Sequence, residues 1–146
     1  MYGFDGGKKV KGRRRQILID SLGLILKAIV GEGNASERTL AKATVMELVE
    51  EKPELLEKVK LMWVDGGYSG ERFALDIWLM IQAKVEVIKR EGKEFQVLPK
   101  RWIVERTLGW FNWYRRLSKE YEQLSEVSET MIYAVMTRLM LRRLTS

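Results

Sequence analysis

Asp65 and Glu105 are the two acidic residues whose surroundings could support chemistry. Asp65 follows the apolar run 61–64 and precedes two glycines, so we expect it at the carboxyl end of a buried, central strand. Glu105 falls in a predicted helix, in a polar row with Gly109 and Asn112. Ligand sites in sheets of this kind gather at the carboxyl ends of strands, so the two carboxylates could share one cation.

Each of these residues also has a purely structural interpretation. An aspartate in a DGG sequence can cap its own turn, and Glu105 can pair with Arg101 one helical turn earlier on a wet surface. Gly109 costs a helix about 1 kcal/mol relative to alanine, which suggests that another group approaches the backbone closely there. The residue pattern alone leaves both interpretations open.

The composition restricts the chemistry further. The chain of 146 residues has no cysteine and no histidine, which excludes thiolate or imidazole metal ligands and the usual base-assisted serine and cysteine hydrolases. A metal would therefore need oxygen ligands, as Mg²⁺ or Mn²⁺ prefers. The longest apolar stretch, 17–30, contains Asp20 and Lys27 and cannot span a bilayer, so a cytoplasmic protein with no membrane association is predicted.

Positive charge is concentrated at the two ends of the sequence. Residues 1–15 contain six Lys or Arg and one acid, and residues 100–146 contain nine and five, whereas residues 16–99 contain eleven bases and fourteen acids. Such ends are typical of a polyanion site on a nearly neutral scaffold, and they are also compatible with solvated termini.

The first half of the sequence predicts a β-hairpin and a helix. Residues 8–19 and the second apolar run 22–31 predict two strands around a DSLG turn, the first strand with a basic start. Asn34 with Glu37 resembles a capping box, and apolar residues then recur at helical spacing until Pro53.

The second half predicts alternating elements. After the apolar strand come a helix over 71–84, a strand at 85–90, a helix over 101–119 and a last helix reaching residue 143 with Ser125 or Ser128 as its cap. The helix over 101–119 has an apolar stripe that consists of Ile103, Trp110, Tyr114 and Leu117. The order β-β-α-β-α-β-α-α predicts an α/β fold with a mixed sheet flanked by helices.

Four blocks, in order along nearly the whole chain, resemble the insertion-sequence transposases of the superfamily named for insertion sequences four and five. They are KKVKGRRRQILIDSLGLIL, WVDGGYSG, VLPKRWIVERTLGWFNWYRRLSKEYE and SETMIYAVMTRLMLRRL. The resemblance implies an RNase H-like fold in which Asp, Asp and Glu hold two Mg²⁺ ions, with Mn²⁺ as a substitute, for DNA strand cleavage and joining.

The resemblance also implies roles for individual residues. Asp65, within WVDGG, matches the second aspartate, and Glu105, within WIVER, matches the glutamate, so both are expected metal ligands and catalytic residues. Arg101 matches the arginine of the R-x-x-x-E signature, whereas Leu98 and Asn112 stand where the stricter pattern has tyrosine and lysine. The expected DNA-binding residues are Lys8, Lys9, Lys11, Arg13, Arg14, Arg15, Arg101, Arg115, Arg116 and Lys119.

No residue of this sequence matches the first aspartate, because Asp5 and Asp20 both have turn or solvent roles as their expected function. Residues 1–146 are therefore predicted to be a partial catalytic domain that lacks its first strand and the N-terminal DNA-recognition region. Double-stranded DNA, further copies of the chain and a separate N-terminal transposase polypeptide are the expected partners. The alternative is a non-catalytic DNA-binding remnant of a decayed element.

Overall fold

The computed structural model describes residues 3–5, 10–88, 99–114, 117 and 124–146. Its first half is a three-stranded antiparallel sheet in the order β1-β2-β3, with β1 at Gly3–Asp5, β2 at Val10–Ile19 and β3 at Ile25–Glu32. The predicted hairpin is confirmed, and the short strand β1 was not predicted. The Asp20 carboxylate accepts hydrogen bonds from the backbone amides of Leu22 and Leu24, which closes the turn between β2 and β3 as expected for this residue.

After the antiparallel sheet come helix α1, a parallel βαβ unit and two further helices. Helix α1 covers Glu37–Glu51, β4 covers Leu61–Val64, α2 covers Glu71–Ile81 and β5 covers Lys84–Val87. Strands β4 and β5 pair in parallel, connected by α2, and short 3-10 helices occupy Pro53–Leu55 and Gly66–Tyr68. Helices α3, at Pro99–Asn112, and α4, at Ser125–Thr145, complete the described chain.

The α/β fold class is confirmed, but the described strands form two sheets where a single mixed sheet was predicted. No ladder among these strands joins β2 to β4. Strand β4 was predicted to be buried and central, and this was wrong: Leu61 is 37% exposed and Trp63 is 40% exposed, and Met62 and Val64 are only partly buried. Among the described strands β4 pairs only with β5.

Several predicted helix ends were wrong. The N-cap of α1 is Ser36 rather than Asn34, and α4 begins after Leu124, which places Ser128 inside the helix and buried. Helix α2 ends earlier than predicted because Gln82 adopts a left-handed conformation (φ 51°). The regular part of α3 ends at Asn112, after which Trp113 and Tyr114 donate to carbonyls three residues back.

Two hydrophobic clusters hold the layers together. The first lies between β3, α3 and α4, with Phe111 and Ile132 fully buried. The predicted apolar stripe is confirmed for Leu117, which is fully buried, and for Tyr114, which packs against the first cluster. Trp110 lies at the margin instead, and Thr107 and Phe111 are the buried residues in the described part of α3. The second cluster lies between α1, α2 and the β4–β5 sheet and is centred on Leu48 and Ile77.

Helix α4 covers the outer edge of β3 with hydrogen bonds as well as apolar contacts. The Tyr133 hydroxyl accepts from the Ala28 amide at 2.8 Å and donates to the Ala28 carbonyl at 3.2 Å. A Glu129 carboxylate oxygen accepts from the Val30 amide at 2.9 Å. These side chains satisfy backbone groups that an edge strand would otherwise leave to solvent or to another chain. None of the helices in the described part of the chain has the length and apolar character needed to cross a bilayer.

Candidate active-site groove

A groove separates the two sheets and runs between β2 and β4. It consists of two adjoining cavities of about 320 and 610 Å³. The residues that line both cavities are Ile17, Leu18, Met62, Trp63 and Val104. Gln16 and Asp65 line the first cavity, and Ile19 and Leu61 line the second, so β2 and β4 run in opposite directions along the groove. Helix α3 also contributes to the lining of the groove, with Ile103, Val104, Glu105 and Leu108.

Asp65 lies at the carboxyl end of β4, at the rim of the first cavity, where the sequence placed it. It is the N-cap of the 3-10 helix Gly66–Tyr68, and its Oδ1 accepts a hydrogen bond from the Gly67 amide at 3.0 Å. The structural and the chemical interpretations therefore coexist, because the turn orients one oxygen of a carboxylate that faces a cavity.

Glu105 lines the same cavity as Asp65, from α3. The helix is fixed there by contacts with the β2–β3 turn: the buried Thr107 hydroxyl donates to the Gly23 carbonyl at 2.7 Å, and Arg106 donates to the Leu22 carbonyl at 2.7 Å. Gly23 has a φ of +83°, and a Cβ there would lie 2.8 Å from the Thr107 Oγ1. The turn and α3 are thus fitted to each other, one helical turn or less from Glu105.

Polar residues that sequence reasoning did not assign to the site surround Asp65. A Cβ at Gly67 would lie 2.5 Å from Glu37 Oε2 and 3.2 Å from Asp65 Oδ1, so the carboxylates of Glu37 and Asp65 are close neighbours. Glu37 forms a 3.2 Å ion pair with Arg14. Glu37 had been interpreted only as a capping residue, and no signal in the sequence connects it with Asp65.

Tyr68 lines the first cavity and was also not assigned to the site from the sequence. Its hydroxyl donates to Gln16 Oε1 at 3.0 Å, and its ring packs against Phe73 with centroids 5.8 Å apart. Burial raises the pKa of Tyr68, the Gln16 hydrogen bond acts against that shift, and the charges of Glu37 and Asp65 add to it. The phenol therefore stays neutral at physiological pH and connects β2 to the turn that carries Asp65.

The predicted DNA-binding residues have mixed surroundings. Arg13, Arg14 and Arg15 lie half-buried on β2; Arg14 pairs with Glu37, and Arg15 Nη1 donates to the Leu117 carbonyl at 2.6 Å. Lys11 and Arg101 lie on β2 and in the first turn of α3. The remaining predicted residues, Lys8, Lys9, Arg115, Arg116 and Lys119, lie outside the described residues.

The donor chemistry of the groove suits a hard cation, since Asp65 and Glu105 both line one cavity and both carry carboxylate oxygens. No group of three acidic side chains with metal-binding geometry occurs among the residues that the structure describes. The described part of the chain thus offers two carboxylates of a potential site.

A comparison with known protein families matches residues 62–142, more than half of the chain, to the transposase DDE domain. The chain belongs to this family. The matched segment of this transposase DDE domain contains both Asp65 and Glu105. The family consists of enzymes that act on DNA, generally with divalent metal ions, and the sequence-based expectation of a DDE transposase is confirmed at that level. No curated protein and no solved structure gives a significant match to the chain.

Proposed function

We propose that the chain is the C-terminal part of the catalytic domain of an insertion-sequence transposase, of the superfamily of insertion sequences four and five. Its function is metal-dependent cleavage and transfer of DNA strands within an RNase H-like domain. The observation that carries the proposal is that Asp65, from the end of β4, and Glu105, from α3, line one cavity. Both residues lie in the segment that matches the transposase DDE domain.

The directions of the strands along the groove are compatible with a further strand that lies in it and carries the third carboxylate. Strand β1 pairs with β2 in the antiparallel direction, with Gly3 opposite Gly12, on the edge of β2 away from β3. A strand continuing that path would run along β2 beside Gln16–Ile19, and it would be parallel to β4 because β2 and β4 run in opposite directions. An acidic residue on that strand could then lie beside Asp65. This strand would come from upstream sequence or from a separate N-terminal polypeptide.

In the completed site, Asp65 and Glu105 would hold Mg²⁺, with Mn²⁺ as a substitute. The bound metal supplies activation of a water or a DNA 3′-hydroxyl and stabilisation of the leaving oxygen. The chain itself fixes its ligands: the Gly67 amide orients Asp65, and the contacts of Thr107 and Arg106 with the β2–β3 turn fix the helix that carries Glu105. The described two-carboxylate site would bind metal weakly, and the chain alone is expected to be inactive.

Duplex DNA, as element end and as target, is the proposed substrate. The basic residues of β2 and Arg101 would contact its phosphates, together with Arg115, Arg116 and Lys119. Arg14 and Arg15 have partners within the chain, so any contact with phosphate requires them to share or exchange those partners. Action on paired ends would require more than one copy of the chain, in the cytoplasm.

A second candidate is a non-catalytic DNA-binding remnant of a decayed element. The observation that favours it is that no three-carboxylate group occurs among the described residues. A remnant would bind DNA in a salt-sensitive manner and would be indifferent to loss of the groove carboxylates, or would bind more tightly as negative charge is removed.

The decisive experiment is a strand-cleavage assay on supercoiled DNA with Mn²⁺. It compares the chain with a version extended upstream by an aspartate-bearing strand, each as the parent and with Asp65→Asn or Glu105→Gln. Glu57→Gln is the matched control, because Glu57 is exposed and lies outside the groove. We expect cleavage by the extended parent and its Glu57→Gln variant, and loss of cleavage by at least about 100-fold in the two groove variants, since each removes a metal ligand.

Absence of cleavage by both versions, despite salt-sensitive DNA binding, would overturn the catalytic proposal in favour of the remnant. Cleavage that survives both groove substitutions would place the catalytic carboxylates elsewhere.

A further inference from the structure

The facing sides of α3 and α4 carry aromatic rings and arginine side chains in matched positions. The Arg143 guanidinium lies 4.7 Å from the ring centroid of Trp110, and the Arg138 guanidinium lies 6.0 Å from that of Tyr114. The earlier ring, Trp110, contacts the later arginine, Arg143, so the two segments run antiparallel. The two ring–arginine pairs are spaced about one helical turn apart.

This alternation continues along α3. The Arg106 guanidinium lies between two indole rings, 5.1 Å from the centroid of Trp102 and 5.0 Å from that of Trp110. Arg106 donates to the Leu22 carbonyl, while its Nε is buried and has no hydrogen-bond partner. These contacts form a stack of alternating rings and guanidinium groups: Trp102, Arg106, Trp110 and Arg143. Arg106 anchors this stack to the β2–β3 turn.

The stack keeps its positive charge. None of the ion pairs between described residues includes Arg106, Arg138, Arg142 or Arg143. A ring face attracts a guanidinium without neutralising it, so Arg138 and Arg143 are held over their rings and are still able to bind an anion. The acids of α4, Glu126 and Glu129, lie at its other end.

A purely structural explanation accounts for part of this pattern. Arg142 and Arg143 lie in the last turn of α4, where cations interact favourably with the helix dipole. That explanation does not require Arg138, which lies one turn earlier, to be placed over a ring. It also leaves unexplained why Trp113, three residues after Trp110, is 82% exposed.

We propose that the stack and the C-terminal turns of α4 are a second DNA-contacting surface, in which Arg138, Arg142 and Arg143 bind phosphates of the duplex backbone. The guanidinium groups of Arg138 and Arg143 are exposed and held over aromatic rings, and the exposed Arg142 adds a third positive charge that matches the negative charge of the phosphates. The choice of DNA as the polyanion rests on the proposed function. The surface lies outside the carboxylate groove, so it would hold DNA without taking part in cleavage.

The test measures binding of a short mixed-sequence DNA duplex as a function of salt, with EDTA present so that the carboxylate groove makes no metal-dependent contribution. The variant Arg138→Gln/Arg142→Gln/Arg143→Gln is compared with Lys52→Gln/Arg72→Gln/Lys84→Gln, whose three positions lie outside the groove. Both remove three positive charges from exposed positions, and the second set lies on neither α3 nor α4. We expect the α4 variant to bind at least tenfold more weakly and to lose about 0.9 in salt slope for each phosphate contact removed.

A third variant, Arg138→Lys/Arg142→Lys/Arg143→Lys, retains the charge and removes the planar guanidinium groups. It should bind with intermediate affinity, and circular dichroism checks that every variant is folded. Equal weakening by the two glutamine variants would overturn the proposal, because net charge alone would then explain binding. Stronger binding of the parent to anionic phospholipid vesicles than to DNA would also overturn it, in favour of a membrane surface.

Strand cleavage by the extended chain distinguishes this proposal from the proposed function. Cleavage by the extended parent together with unchanged DNA binding by the α4 glutamine variant refutes the second surface alone. Selective loss of binding in that variant, without cleavage by the extended parent, supports the surface and refutes the catalytic proposal.

Discussion

The outer edge of β3 is covered by a helix, whereas the facing edges of β2 and β4 leave a groove between them. At β3, Tyr133 and Glu129 from α4 hydrogen-bond the backbone of Ala28 and Val30, and apolar side chains of the same helix bury the strand. At the groove, β2 and β4 line a common cavity, and no ladder between the described strands joins them.

The two edges differ in what covers their backbone groups. Backbone groups at an uncovered edge are normally paired, capped by side chains or solvated, and the β3 edge is capped by a helix of the same chain. The groove instead has apolar walls and two carboxylates at its rim, an arrangement that suits an additional strand and a cation. Perturbation of the two regions should therefore have different consequences.

The largest difference in stability should come from truncation of two apolar side chains on α3, one in the first cluster and one in the groove. Phe111→Ala removes a fully buried ring from the first cluster and should lower the free energy of unfolding by about 3–5 kcal/mol. Val104→Ala, in the groove, should cost well under about 1 kcal/mol because Val104 is already 37% exposed. Urea denaturation followed by circular dichroism measures both, and similar losses would contradict the comparison.

Removal of one hydroxyl tests the capped edge directly. Tyr133→Phe retains the ring but leaves the Ala28 amide without its side-chain acceptor, so we expect a loss of about 1–3 kcal/mol in the free energy of unfolding. Hydrogen exchange at the Ala28 amide should accelerate, whereas exchange at the β4–β5 ladder should not. Unchanged protection of Ala28 would show that solvent replaces the hydroxyl without cost.

Much of this contrast could not be predicted from the sequence, although the elements could. Alternating apolar residues and turn chemistry located the β2–β3 hairpin, the strand ending at Asp65 and the helix carrying Glu105, because these signals are local. Tyr133 and Glu129 gave no signal of their function, since their partners lie about one hundred residues away along the chain. The same limit concealed the neighbourhood of Glu37 and Asp65.

Trp110, one residue of the predicted apolar stripe, was misassigned for a related reason. The apolar pattern favoured Trp110 as a core residue, but Arg106 and Arg143 cover its ring while Phe111 and Thr107 occupy the interior. Long arginine side chains can cover an indole as effectively as apolar neighbours can, and hydrophobic periodicity does not register this.

Gly109 offers a smaller test on α3, the helix that carries Glu105. A Cβ at this position would meet nothing within 4 Å, so Gly109→Ala should raise the free energy of unfolding by about 1 kcal/mol through its effect on the helix. If DNA approaches the backbone of α3 here, the more stable variant should cleave DNA more slowly in the extended chain. Higher stability with unchanged cleavage would mean that no ligand requires the glycine.

The smallest expected effect concerns the charge of Glu129 at the capped edge. Burial raises the pKa of Glu129, the hydrogen bond from the Val30 amide acts against this shift, and the nearby Glu47 charge adds to it. Because the folded-state pKa lies above its ordinary value of 4.5, the contribution of this group to stability is fully present below 4.5 and is lost as the pH rises through the folded-state value.

Glu129→Gln imitates the protonated form, since its amide oxygen can still accept from Val30 without carrying charge. The variant and the parent should therefore have the same stability in acid, and the variant should be the more stable of the two near neutral pH. The difference should be small because solvent screens the charge of this partly exposed group. Thermal unfolding across the acid-to-neutral range, with Glu57→Gln as the control, measures this difference. An advantage of the glutamine variant that is largest below pH 4.5 would have the wrong sign, and it would mean that the ionised carboxylate stabilises the capped edge.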